Sequence, residues 1–191
     1  MPEKTINARA ENCSDLELIR ACQKGDTEAF RGLYRRHQQR VRALLHHLCD
    51  PTTLDDLVQE VFLRAWKGLP KMRGSAKFST WLYRIAWNVG ADYRRQMAQN
   101  NHRIQQQGVW VESMEQTTTP WQQIHCQDLV RRGIAHLGED RAVVVILHDL
   151  QDVSQAEIAE ILRVPVGTVK SRLFHARAML RQFFKQEGVT L

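Results

Sequence analysis

No apolar run in this 191-residue sequence approaches the roughly 18 residues that a membrane span needs. The first residues, MPEKTINARAENCSD, lack the apolar stretch of a secretory signal, so the expected location is the cytoplasm. Cysteine is scarce: Cys13, Cys22, Cys49 and Cys126 form no C-x-x-C pair and read as reduced thiols rather than a secreted disulfide framework. His46, His47 and Cys49 are close together, but adjacent histidines on a helix point about 100° apart and chelate one ion poorly, so no metal is expected. There is no Gly-rich phosphate loop and no nucleophile–base constellation, which speaks against an enzyme and leaves no cofactor to expect. Val, Ile and Thr never alternate over a strand length, so the expected fold class is all-α.

What the sequence does have is a core and an uneven charge. Hydrophobic residues are 43% of the chain and the net charge is +6. Residues 1–103 carry 18 Lys/Arg against 11 Asp/Glu, while 124–191 carry nine against eight. From Lys67 to Ala91 there are five positive side chains and no acid. Such a patch fits a polyanion partner or a solvated basic surface.

The periodic segments are helical. Phe30, Leu33, Tyr34, Val41, Leu44, Leu45 and Leu48 recur at helical spacings between Asp26 and Cys49. Ser14 with Glu17 reads as a capping box, and Thr53 with Asp56 resembles another that opens a helix over 53–67. The stretch 96–123 is rich in Gln and Asn, with a Thr117–Thr119 run and Pro120; it reads as a polar linker between two helical domains. The domains are expected at 14–96 and 124–188, with the linker at 97–123.

In the second domain, Ser154-x-x-Glu157 is a capping box before Ile158, Ala159, Ile161 and Leu162. Pro165 interrupts that helix, and another starts near Thr168, the helix-turn-helix layout. At 100° per residue, Val169, Leu173, Ala176, Leu180 and Phe184 form one apolar stripe. Lys170, Ser171, Phe174 and His175 point away from it, and Arg172 and Arg177 flank it. That face suits a DNA major groove, where Lys and Arg meet guanine or phosphate and Phe meets a thymine methyl; it also suits a plain amphipathic surface helix.

In the first domain, TLDDLVQEVFLRAW places Leu54, Leu57, Val58, Val61 and Ala65 inward. Asp56, Gln59, Glu60 and Leu63 gather on the other side as a protein-docking patch; the alternative is that Asp55 and Asp56 simply complement the helix dipole. FSTWLYRIAWNVGADYRRQ puts Leu82, Ile85, Ala86, Val89 and Tyr93 on a core stripe, with Arg84, Trp87, Asn88, Ala91 and Arg95 opposite and Trp81 at the edge. A basic loop containing Lys71, Arg73 and Lys77 precedes it. Aromatics interleaved with cations suit single-stranded nucleic acid; the tryptophans packing internally is the alternative.

Taken in order, LDDLVQEVFLRAW, FSTWLYRIAWNVGADYRR and EIAEILRVPVGTVKSRLFHARAML resemble the motif series of an extracytoplasmic-function (ECF) sigma factor of bacterial RNA polymerase. The resemblance implies two helical domains, sigma-2 and sigma-4, and a factor that directs core polymerase to promoters, in a stress or envelope response. It implies that Asp56, Gln59, Glu60 and Leu63 dock on the β′ clamp helices, and that sigma-4 binds the β flap. It also implies that the loop with Lys71, Arg73, Ser75 and Lys77, followed by Trp81, Arg84, Trp87, Asn88 and Arg95, reads the melted minus-ten strand, with Asn88 lining the pocket for a flipped base. Thr168, Lys170, Ser171, Arg172, Phe174, His175 and Arg177 would read the minus-thirty-five duplex, and an anti-sigma factor would cover the polymerase-binding faces. Three positions depart from the family pattern: His175 replaces a usual arginine, Arg163 a common glycine and Gln155 a frequent aromatic. A stand-alone helix-turn-helix regulator is the other class to weigh; it would use only 124–191 and would leave the first domain unexplained.

Overall fold

The structure is a computed structural model that describes residues 13–72, 77–106 and 123–189, of which 101–106 and 123–127 are described as backbone alone. Every regular element among them is helical: α1 (Asp15–Gln23), α2 (Thr27–His46), α3 (Leu54–Gly68), α4 (Phe78–Gln106), α5 (Gln123–His136), α6 (Glu139–Val145), α7 (Gln155–Leu162) and α8 (Val166–Gln186). The chain divides into two units, residues 1–90 with 160–162, and 91–159 with 163–191. No described helix is long and apolar enough to cross a membrane.

In the N-terminal unit the capping box at Ser14 forms: the Glu17 N–H donates to the Ser14 hydroxyl, and the Glu17 carboxylate accepts from the Ser14 backbone. Asp26 caps α2 by accepting from the Glu28 and Ala29 N–H groups. The cap expected at Thr53 is absent. Asp50 instead accepts from the Thr52 N–H and opens a 3₁₀ turn, Pro51–Thr53, that runs directly into α3. Pro51 supplies the fixed φ such a turn needs, so the chain is already helical before Thr53.

The core of this unit is built by Leu33, Val41, Leu44 and Leu45 of α2, Val58, Val61, Phe62 and Ala65 of α3, and Leu82, Ala86 and Val89 of α4. Leu57, Ile85 and Tyr93 are half-buried, whereas Phe62 and Tyr83, which the periodicity did not single out, are buried. A buried polar group ties α1 to α2: His37 Nε2 lies 2.8 Å from the Asp15 carboxylate, which also pairs with Arg36. Burial, then the charge of Asp26, pushes the Cys22 thiol up to about 11, as expected of a reduced structural cysteine.

In the C-terminal unit Ile134, Leu137, Val143–Leu147, Ile158, Val169, Leu173 and Ala176 are buried together in the core. Gly133 lets α8 approach α5 closely: a Cβ there would stand 3.1 Å from Leu180 and 3.3 Å from Phe183. A π-helical turn, Ile146–Leu150, follows α6. Helix α4 continues to Gln106, so the first ten residues of the expected linker are helical. Gln, Met, Ala and Arg are good helix formers, and a stretch without apolar periodicity can hold a helix without building a core.

Candidate nucleic-acid and protein-docking faces

Helix α7 starts with the Ser154–Glu157 capping box, both arms of which form. It ends at Arg163, whose backbone is left-handed at φ 56° and ψ 46°, the position where glycine is common in the family pattern. That residue turns the chain, its N–H returning to the Ala159 carbonyl, and Val164 N–H reaches the same carbonyl at 3.1 Å. Pro165 then opens α8 two residues earlier than Thr168.

On α8 the stripe facing the core is Val169 (0% exposed), Leu173 (2%) and Ala176 (0%), with Leu180 and Phe184 half-buried. Lys170, Ser171, Phe174 and His175 stand on the open side; Phe174 is 72% exposed, and its ring meets the His175 ring edge-on at 5.5 Å. A groove of about 350 Å³ runs past Gln155, Lys170, Phe174, Arg177 and Arg181, four polar or cationic side chains around one aromatic ring. Thr168 is half-buried.

The two arginines that flank this face are engaged inside the unit. Arg172 pairs with Asp140 at 2.7 Å, and Arg177 donates to both oxygens of Asp149, which His148 also contacts at 2.8 Å. Burial alone would raise the Asp149 carboxyl; the hydrogen bonds from Arg177 and His148 together outweigh it and hold it below the usual range. These pairs span 32 and 28 residues, and sequence spacing carries no sign of them.

In the N-terminal unit, helical geometry puts Trp81, Arg84, Asn88, Ala91 and Arg95 on one stripe of α4, with Trp87 beside it. Asn88 and Arg95 are exposed, while Trp81, Arg84 and Trp87 are half-buried; Arg95 pairs with Asp92 one turn back. Lys71 and Lys77 are exposed. Arg73 and Ser75 lie outside the described residues.

The docking patch of α3 has an unforeseen neighbour. Asp56, Gln59 and Leu63 are exposed, and Glu60 is held by Arg64 at 2.7 Å. Beside them runs a groove of about 580 Å³ floored by Phe30, Tyr34, Phe62 and Trp66, with Arg42 and Asp55 paired at its rim. Edge-to-face contacts lock that floor, Tyr34 to Phe62 at 4.6 Å and Phe30 to Trp66 at 4.9 Å. An exposed leucine thus stands beside an aromatic trough with acidic side chains at its edge. The i, i+4 spacing of Phe30, Tyr34, Phe62 and Trp66 could have revealed this floor.

The models of two protein families match the chain: "Sigma-70 region 2" over residues 33–99 and "Sigma-70, region 4" over 127–180. The "ECF RNA polymerase sigma-E factor" of Haemophilus influenzae is 34% identical over 183 residues, 90% of this chain and 95% of that protein. Its Escherichia coli K12 namesake is 34% identical over 177 residues, 88% and 93% of the two chains. Among solved structures, that of RpoE in complex with the anti-sigma factor NepR from Bartonella quintana aligns with TM-score 0.69 and 24% identity, over 83% of this chain and 98% of that one.

Proposed function

Because the chain belongs to the extracytoplasmic-function sigma factors of RNA polymerase, we propose that its three exposed faces divide one task, the directing of core polymerase to a promoter in the cytoplasm. It is a non-enzymatic transcription initiation factor. The patch of Asp56, Gln59, Glu60 and Leu63, with the aromatic groove beside it, docks the β′ clamp helices. The C-terminal unit also meets the β flap. The α8 face with Thr168, Lys170, Ser171, Phe174 and His175 reads the minus-thirty-five duplex; Arg172 and Arg177, held by Asp140 and Asp149, support that helix and lend charge to its rim. The stripe of Trp81, Arg84, Asn88 and Arg95, with Trp87, Lys71 and Lys77, receives the melted minus-ten strand. Rings there stack bases and cations neutralise phosphate, and a base extruded beside Asn88 regains in contacts what unstacking costs. An anti-sigma factor would compete with polymerase for the aromatic groove. The two domains are placed at 14–96 and 124–188, with the linker at 97–123 between them.

The observation that carries this reading is the bare α8 face: a 72% exposed phenylalanine among Lys170, Ser171 and His175, directly opposite three fully buried residues. In-vitro transcription with core polymerase on a promoter library, with and without the protein, tests it. Transcripts that depend on the protein and share two spaced elements are the expected result. No transcript, together with tight duplex binding by the protein alone, would instead indicate a stand-alone regulator. His175 stands where the family pattern has a usual arginine, so the upstream element selected from the library should differ from the family's at the base pair this side chain meets.

A further inference from the structure

Helix α1 precedes the stretch 33–99 matched by the region 2 family model. Its last residue, Gln23, reaches 46 and 49 residues ahead: the side-chain amide donates to the Leu69 carbonyl at 3.2 Å and to the Met72 carbonyl at 3.2 Å. These two carbonyls bracket the 3₁₀ turn Leu69–Lys71 that leaves α3, and Met72 N–H also returns to Leu69 at 3.1 Å. The Leu69 side chain is 1% exposed, so the turn is anchored from inside by leucine and from outside by the amide fork. Lys71 projects from it into solvent.

The turn in turn fixes Trp81. Gly68, the residue before it, lies flush against the Trp81 ring, where an added Cβ would stand 3.0 Å from the ring. Trp81 packs on Phe78 at 5.8 Å between centroids, Phe78 meets His37 at 5.1 Å, and His37 is held by Asp15, the first residue of α1. The short helix α1 therefore grips the Lys71 turn with one end, and with the other holds His37 of α2, against which the start of α4 packs.

We infer that Gln23 is a positioning residue for strand capture: its two amide hydrogen bonds hold the Leu69–Met72 turn, and with it Lys71 and Trp81, in the geometry that receives the melted strand. The inference rests on the reading of α4 given above. Preorganisation is the physical gain. A turn already ordered spares the arriving strand the entropic cost of fixing it. The fork needs two N–H donors on one terminal nitrogen; methionine keeps the shape of Gln23 without donors, and a lysine ammonium restores donors to both carbonyls.

The test uses the full chain bound to core polymerase and a fluorescently labelled single strand enriched from a random 20-mer pool by the wild-type complex. Gln23→Met is expected to weaken strand binding about 5–10-fold while Tm moves by less than about 2 °C. The salt dependence of that binding should flatten by about 0.7 in log–log slope as Lys71 loses its phosphate, which general loosening of the fold would not cause. Gln23→Lys should recover the affinity without exceeding the wild-type slope. Trp81→Ala is the arm that tests the reading beneath. If it leaves strand binding intact, α4 is not the strand receptor and the role of Gln23 falls with it. If Trp81→Ala loses at least about 10-fold while Gln23→Met binds as wild type, strand capture stands and the positioning role is overturned. An affinity loss matched by a fall in Tm, at unchanged slope, would make Gln23 merely structural and overturn it as well.

Discussion

The two helices that carry the candidate nucleic-acid faces, α4 and α8, bury themselves differently. Helix α8 separates its sides cleanly: Val169, Leu173 and Ala176 are at most 2% exposed, and Lys170, Ser171, Phe174 and His175 stand open. Helix α4 buries Leu82, Ala86 and Val89 as fully, but its candidate face is not open in the same way, since Trp81, Arg84 and Trp87 are each half in and half out. A duplex brings base edges to the protein in a groove, so its reader needs a convex, rigid helix with projecting side chains. A single strand brings loose bases that need faces to stack on and recesses to enter, and half-buried rings supply both. Recognition is thus separable from stability on α8 and entangled with it on α4.

Adjacent residues of α8 should break apart most widely. Leu173→Ala is expected to cost about 2–5 kcal/mol of stability by leaving a cavity in a close-packed core. Phe174→Ala, one position on, should leave the denaturation midpoint unchanged and weaken duplex binding by about 1–2 kcal/mol if its ring meets a thymine methyl. Chemical denaturation and duplex titration on the same two variants measure the contrast. On α4 one substitution should do both: Trp87→Ala is expected to lower stability by about 1–2 kcal/mol and strand affinity by about 1–3 kcal/mol. Loss of strand binding at full stability would show that α4 works as α8 does, and the comparison would fail.

How much of this was readable in advance follows the range of each interaction. The capping boxes at Ser14 and Ser154 are contacts three residues apart, and both form where the S-x-x-E spacing put them. The stripe of Val169, Leu173 and Ala176 is equally local, since one helix repeats its own period. The Thr53 cap failed because a competing local signal, Asp50 with Pro51, starts a 3₁₀ turn first. Tertiary packing was beyond reach: nothing near His37 announces that it will be 4% exposed against Asp15 and Phe78, and the i, i+4 pairs Phe30–Tyr34 and Phe62–Trp66 mark two aromatic helix faces without saying that they meet in one groove. Arg172 and Arg177 read as free cations at the edge of a DNA face, and only the fold brings Asp140 and Asp149 to them.

Asp15 in the N-terminal unit, beside Glu17 and Asp50 at its helix caps, and Asp149 in the C-terminal unit are held below the usual carboxylate range, which sharpens the comparison at acid pH. Asp15 is lowered first by its hydrogen bond with His37, with Arg36 adding to it against the effect of burial; Asp149 is lowered by Arg177 and His148 against a larger opposing effect of burial. A folded-state pKa below the unfolded one gives stability that is present above the unfolded value and lost as pH falls through the folded one. Both units should therefore weaken below about pH 4. Asp15→Asn should make the acid limb of the N-terminal unit alone shallower, and Asp149→Asn that of the C-terminal unit alone, followed for the first by the emission of Trp66, Trp81 and Trp87 in a chain with Trp110 and Trp121 replaced, and for the second by duplex binding. A flattening of both limbs by either variant would mean that the two units do not titrate separately.

The smallest expected effect concerns the turn that aims α8. Arg163 holds φ at 56°, a conformation that costs an ordinary L-residue about 1–2 kcal/mol because its Cβ crowds the following carbonyl. Glycine escapes that penalty but loses more backbone entropy on folding, by about 0.5–1 kcal/mol. The difference leaves Arg163→Gly about 0.5 kcal/mol more stable, a rise of about 2–4 °C in the melting of the C-terminal unit. Arg163 is exposed, so the substitution removes no packing. It does remove one positive charge three residues before the start of α8. If that charge contacts phosphate, duplex affinity should fall while stability rises, with the salt slope shallower by about 0.9. If affinity and slope stay fixed, the arginine serves the turn alone, and the free energy stored in its left-handed backbone is unused by binding.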